Sequence, residues 1–315
     1  MNIADKLNER IKLLQAPIVV GLDPVVTYIP NIFKMEKENT IKGISEAIFE
    51  FNTTIIDIVA DIVPAVKPQI AFYEKYGYLG IQVFEMTVAY AKQKGLIVIE
   101  DGKRNDIGNT AYAYADAHLG ESDLFDEKKE KIFDVDFLTV SPFLGLDTIE
   151  PFIKVAQKYN KGVFVLVKTS NSGSDLIQSV VTDGGITISE LLADIVNTEA
   201  QESIGFSGYS PIGAVVGATY PEDARKLRKR MSNSLFLVPG YGAQGGGVAD
   251  VLPCFNEDGL GAIVNASRSI IFAHSKKYGN DCSMEEFKMS IKDATIEMKN
   301  SIYEALKTLY SSMCY

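Results

Sequence analysis

The sequence predicts an α/β protein folded as a closed (β/α)8 barrel, a TIM barrel. Three observations lead there. Eight short, nearly uninterrupted apolar runs recur along the chain, as parallel strands covered on both faces require. Amphipathic segments of helical length separate them, which makes repeated βα units. No GxGxxG turn follows an early run, which tells against the open, doubly wound sheet. The 315 residues, 46% of them hydrophobic, suffice for one such barrel.

In order, the runs are PIVVGL (17–22), DIVPAV (61–66), GLIVIE (95–100), VDFLTV (135–140), GVFVLV (162–167), IGAVVGA (212–218), LFLVP (235–239) and GAIVNA (261–266). Helical patterns lie over 39–60, 76–94, 108–119, 146–159, 187–200 and 220–231, with a last one over 284–311. The opening MNIADKLNERIKLLQ is amphipathic and mixed in charge. No Gly/Ser- or Pro-rich linker divides the chain, so 1–315 reads as a single catalytic domain. The stretch 171–211 is long for one barrel connection and predicts an insertion around 174–211. Residues 24–38 and 275–283 read as further excursions.

Composition narrows the function. A net charge of −10 disfavours nucleic acid and anionic membranes as partners, so an anionic small molecule needs a local basic pocket. Cys254, Cys282 and Cys314 are scattered and odd in number, a pattern of reduced thiols rather than disulfides or a zinc site. Only two histidines are present, His118 and His274, and no metal site is expected; His118 reads as a helix-surface residue. No apolar run approaches the roughly 20 residues that cross a bilayer, and the N-terminus lacks an apolar signal core. The expectation is a soluble, cytoplasmic protein.

Several runs end in a polar residue followed by a chain breaker, and barrel active sites form at strand C-termini. Asp23 precedes Pro24 and Lys67 precedes Pro68; a residue before proline is pushed to extended geometry, so both prolong their strands. The third run leads into EDGKR (100–104). Asp101 and Lys103 are two apart and share one face of a strand, with Glu100 and Gly102 on the other. Asp23, Lys67, Asp101 and Lys103 therefore converge on one mouth. Asp106 stands where a helix N-cap is expected ahead of IGNTAYAYA, a task that Asn109 or Thr110 can also fill. Asp106 and Thr110 are four apart and share a face if the helix starts early. The last two runs lead into PGYGAQGGG (239–247) and NASRS (265–269). Glycine-rich turns at this place in a barrel hold phosphate on backbone N–H groups. Gly242, Ala243 and Gly245 make the candidate phosphate loop, and Arg268 supplies a bidentate charge.

At these residues the chain resembles the orotidine 5'-phosphate decarboxylases. DGKRNDIGNT matches the DxKxxD signature, and GLDP, VKPQIAFYE, KTSNSGS, VVGATYPED, PGYGAQGG and NASRSI look like that family's landmarks, in its order. The chain is most similar to the longer bacterial subgroup. DxKxxD is shared with shorter, magnesium-dependent sugar-phosphate lyases such as hexulose-6-phosphate synthase; KTSNSGS with PGYGAQGG favours the nucleotide enzyme.

The resemblance implies cofactor-free conversion of orotidine 5'-monophosphate to UMP and CO2 in pyrimidine biosynthesis, by a homodimer. It places Asp101 beside the substrate carboxylate and makes Lys103 the proton donor. Lys67 and Asp106 complete an alternating charge array. Asp23, Lys67 and Thr110 contact the ribose hydroxyls, with Asp106 and Thr110 coming from the partner subunit. Ser170 reads the pyrimidine edge, Gln244 bridges phosphate and base, and Arg268 binds the phosphate. Two rivals remain: a magnesium-dependent lyase, which EDTA would stop, and a non-catalytic nucleotide-binding barrel, which has no need of the charge array.

Overall fold

The computed structural model describes residues 1–242 and 245–310. Eight parallel strands close into a barrel: β1 (Ile18–Leu22), β2 (Ala65–Pro68), β3 (Ile97–Arg104), β4 (Phe137–Val140), β5 (Gly162–Lys168), β6 (Ser210–Val216), β7 (Ser234–Val238) and β8 (Ala262–Ala266). Each strand pairs with its neighbours in chain order, and β8 pairs with β1. Each of the eight apolar runs contributes to a strand, although of 61–66 only Ala65 and Val66 do, the chain before them being a turn. The helices are α1 (Ile3–Leu14), α2 (Ile41–Val59), α3 (Gly77–Gln93), α4 (Gly108–His118), α5 (Glu150–Lys158), α6 (Ile188–Ala200), α7 (Pro221–Arg230) and α8 (Met284–Leu309), with shorter helical turns between them. The helix expected over 146–159 is divided. Leu146–Thr148 form a separate 3-10 turn, and α5 starts at Glu150 with Pro151 in its first turn, where a missing N–H costs nothing.

Two apolar layers follow from strand alternation. Outward residues such as Val20, Val66, Val98 and Val165 pack under the helices. Inward residues Val19, Ala65, Ile97, Phe137, Phe164, Leu237 and Ile263 fill the barrel, and α1 closes its N-terminal end with Ile3, Leu7 and Ile11. The amphipathic opening segment is thus a plug. Asn2 and Asp5 cap it reciprocally, and Asp5 also accepts the Ser207 N–H at 2.8 Å. The Phe137 and Phe164 rings stack at 5.0 Å, and a Cβ at Gly162 would lie 2.3 Å from the Phe137 ring. Only glycine leaves that ring its place.

The excess chain before β6 lies ahead of α6. Residues 171–187 hold the short helix Asp175–Gln178 and a bridge between Val181 and Thr187. Helix α6 itself packs on β5 and β6 and serves as their barrel helix, so the insertion is narrower than 174–211. Cys254 and Cys282 are buried and unbridged; Cys314 lies outside the described residues. No helix among the described residues is long and apolar enough to cross a membrane.

A charge cluster ties the N-terminal rim together. Asp134 lies against Lys92 and 2.8 Å from Lys161, and Asp136 lies 3.2 Å from Lys161. Burial disfavours the Asp134 carboxylate, but hydrogen bonds and charge from Lys161 and Lys92 outweigh it and hold its pKa at about 2, against an ordinary 3.8. A depressed pKa stabilises the fold above the ordinary value and ceases to do so as pH falls through the depressed one. Asp134→Asn should therefore cost about 1.5–3 kcal/mol at neutral pH, the range for hydrogen bonds to charged groups. Asparagine tolerates the left-handed φ of 49° at this position, so the backbone is undisturbed. Unfolding curves should converge with the wild type's between pH 4 and 2 (roughly the window of the shift); a pH-independent difference would refute the assignment.

Candidate active site

A cavity of 940 Å³ opens at the C-terminal ends of the strands, lined by Asp23, Lys67, Asp101, Lys103, Ser170 and Arg268 among others. The tertiary structure thus joins, at one mouth, six residues singled out in five separate stretches of sequence. Asp101 is its centre. One carboxylate oxygen accepts Lys67 Nζ at 2.8 Å; the other accepts Lys103 Nζ and the Thr139 hydroxyl at 3.3 Å. Burial alone would push this carboxyl towards the neutral acid. The charges of Lys67 and Lys103 outweigh burial and hold it well below the usual carboxylate range. Lys67 is the mirror case: burial lowers its pKa, Asp101 and Asp23 raise it, and the net shift is upward. Asp23 Oδ1 and Asn265 Oδ1 are buried without a hydrogen-bond partner, and both residues line the cavity. They are unpaired acceptors set just behind the cavity wall.

Lys103 reaches this face differently from the alternation expected of a flat strand. Its φ is +46°, a left-handed conformation that costs an ordinary residue about 1–2 kcal/mol. The β3–β4 register shifts between Glu100 and Arg104, so the strand bulges here. The Lys103 N–H donates to Thr139 Oγ1 at 2.9 Å, and the same hydroxyl touches Asp101. Sequence reasoning passed over Thr139; its signal was a polar residue at an inward position of the apolar run FLTV.

At the opposite wall, Arg268 stands just after β8 and lines the cavity with Ser267; no carboxylate pairs with it among the described residues. The glycine-rich turn is folded on itself. The Gly242 N–H donates to Gly246 O at 2.8 Å and the Gly245 N–H to Gly242 O at 3.0 Å. Those two N–H groups are thus spent inside the turn, and Arg268 is a cation that this wall of the cavity presents. Ala243 and Gln244 lie outside the described residues.

Asp106 and Thr110 are not brought to this cavity. Asp106 Oδ1 accepts the N–H of Ile107 at 2.8 Å. Helix α4 starts at Gly108 with Ile107 at its cap and no capping side chain, so neither Asp106, Asn109 nor Thr110 fills the capping role considered for them. This segment faces outward, with Ile107 61% exposed. His118, expected on the helix surface, is buried and paired to Glu100 at 2.7 Å.

The profile of the orotidine 5'-phosphate decarboxylase / HUMPS family matches residues 17–278. The chain belongs to that family. It is 43% identical over 304 residues to the orotidine 5'-phosphate decarboxylase of Rhodopirellula baltica, covering 96% of this chain and 99% of that one. It is 39% identical to that of Caldicellulosiruptor bescii over 310 residues, 97% and 99% of the two chains. Its fold superposes on the OMP decarboxylase of Leishmania donovani with a TM-score of 0.71 at 27% identity, over 98% of this chain and 99% of that one.

For a member of the orotidine 5'-phosphate decarboxylase / HUMPS family, the electrostatics make a prediction independent of turnover. Lys67→Met leaves Asp101 with one ammonium instead of two and leaves Asp23 without its charged neighbour. An incompletely compensated buried charge should lower the unfolding free energy by about 1–3 kcal/mol. An unchanged urea midpoint would show that Lys67 does not hold the pair.

Proposed function

We propose that this chain decarboxylates orotidine 5'-monophosphate to UMP and CO2, with residues 1–315 acting as one catalytic domain and no cofactor. The observation that carries the reading is the run Lys67–Asp101–Lys103 at the barrel mouth, buried at its Lys67 end and open to the cavity at Lys103, with Arg268, unpaired among the described residues, across the cavity. Relatives matched over nearly their full length carry the name of this activity, which favours it over the sugar-phosphate lyases and over a non-catalytic barrel.

The roles follow from charge. With phosphate on Arg268, the substrate carboxylate lies beside Asp101. Two anions in a low-dielectric pocket repel, and departure of CO2 relieves that repulsion. The bond between the ring carbon and the carboxylate breaks, and its electron pair stays on the ring carbon. The Lys103 ammonium stabilises that developing charge and delivers its proton there; the amine regains a proton from solvent. Asp23 Oδ1 and Lys67 take ribose hydroxyls. Ser170 reads the pyrimidine edge, since a hydroxyl both donates and accepts, and Gln244 spans phosphate and base. Binding energy from the distant phosphate can be spent on closing and drying the site. Asp106, turned away from its own cavity, completes the partner subunit's array together with Thr110, in a homodimer.

Loss of orotate absorbance on mixing with orotidine 5'-monophosphate tests the activity, which EDTA should leave unchanged. Lys103→Ala should retain the fold and UMP binding while turnover falls far more than tenfold (about 1.4 kcal/mol of activation free energy per decade). Turnover within that factor would remove Lys103 from the role of proton donor.

Subunit mixing tests the trans arrangement. Lys103→Ala and Asp106→Ala homodimers should each be nearly inactive. Unfolded, mixed and refolded together, about half the dimers are heterodimers, each with one doubly lesioned and one intact site, so roughly a quarter of wild-type activity should return. No recovery would place Asp106 within its own subunit's site.

A further inference from the structure

The catalytic turn is bracketed on its outer side by groups that the reaction itself does not use. Glu100 and Arg104 flank Asp101–Gly102–Lys103 in sequence, and their side chains meet at one residue of α4. Glu100 is fully buried, and its Oε2 lies 2.7 Å from His118 Nδ1. Arg104 Nε donates to His118 Nε2 at 3.4 Å. An arginine cannot accept, so Nε2 is the acceptor and the proton sits on Nδ1, donated to Glu100. That pair of contacts calls for a single tautomer, and the ring is stacked on Phe133 at 4.9 Å. Arg104 also donates to the carbonyl of Gly102 at 3.1 Å and to Glu74 at 2.6 Å.

Two further observations tie this cluster to the chemistry. A Cβ at Gly102 would lie 2.8 Å from Glu100 Oε1 and 2.9 Å from Leu138 Cδ1; glycine there is what lets the Glu100 carboxylate sit behind the turn. Lys103 holds its left-handed φ of +46° between the Thr139 hydroxyl on the cavity side and the Arg104-held Gly102 carbonyl on the other. A strained residue persists only where its surroundings over-determine it.

We propose that Glu100, His118 and Arg104 form a clamp that holds the Asp101–Gly102–Lys103 turn in its bulged, left-handed shape, which makes His118 a positioning residue for the Lys103 ammonium. This rests on the reading of Lys103 as proton donor. Through α4 the clamp also joins the turn to the helix that carries Thr110, so both halves of the array share one brace.

Displacing an ammonium by a fraction of an ångström weakens the chemical step more than it weakens ligand binding. Arg104→Met removes the hold on Gly102 and also the guanidinium beside His118 and the buried Glu100, so a urea midpoint is recorded with kcat and KM to separate lost positioning from lost stability. The substitution should lower kcat by about tenfold or more with KM within about twofold. His118→Leu should do the same or worse. Glu100→Gln keeps an acceptor for Nδ1–H and should hold kcat within about threefold of wild type, whereas Glu100→Leu should not. The 15N spectrum of histidine-labelled protein, with only two histidines to assign, should show His118 neutral and protonated on Nδ1. Unchanged kcat in Arg104→Met, equal losses in kcat and KM, or a proton on Nε2 would overturn the clamp. An inactive wild type would instead overturn the proposed function; the tautomer and stability readouts would still report on the clamp.

Discussion

Everything at the mouth of this barrel turns on keeping one buried carboxylate ionised. Asp101 is removed from bulk water yet retains its charge, because Lys67 and Lys103 each contact one of its oxygens. Neither ammonium alone would offset the cost of burial as fully, and a half-satisfied charge at this depth would neutralise or unfold the site. The arrangement needs adjacent strands: Lys67 ends β2 and Asp101 lies on β3, its parallel neighbour. Strand β3 bulges here, and Lys103 contacts Asp101 from a left-handed turn rather than from regular strand alternation. The Thr139 hydroxyl from β4 touches both residues of the turn, so three consecutive strands serve one anion.

The two ends of the barrel divide their tasks. At the N-terminal end, α1 plugs the interior with apolar side chains and Asp134, Asp136, Lys92 and Lys161 pair among themselves. These charges balance locally and point to no cavity of the size found at the mouth. At the C-terminal end, charge is left unbalanced on purpose of ligand: Arg268 stands without a carboxylate, and Asp23 and Asn265 keep buried acceptors unpaired. Unpaired polar groups are expensive, and these two lie on residues of the cavity wall. The acidic surface as a whole repels anions, so under the proposed function the cations at the mouth, Lys67, Lys103 and Arg268, are the ones available to a phosphorylated anion.

Much of this was legible in the chain itself. Buried parallel strands need continuous apolar runs, and each of the eight runs contributes to a strand, in order. Asp23, Lys67 and Asp101 stand at the ends of such runs, where a polar residue has little other reason to lie, and they meet as their positions implied. The glycine-rich turn and Arg268 followed the last two strands, as phosphate sites in barrels do. Periodicity reports which face a residue takes, and that was enough for these.

What the tertiary structure decided was of a different kind. The left-handed turn at Lys103, the bracing hydroxyl of Thr139, the burial of His118 against Glu100, and the outward course of Asp106 and Thr110 all depend on register between strands far apart in sequence and on which helix covers which outer surface. A bulge breaks the two-residue alternation that a sequence reader must assume, and a histidine on an amphipathic helix turns inward only because a buried glutamate from another element awaits it. Local pattern sets the faces of elements; long-range packing sets the contacts made across them, and the chemistry of this site lies in those contacts.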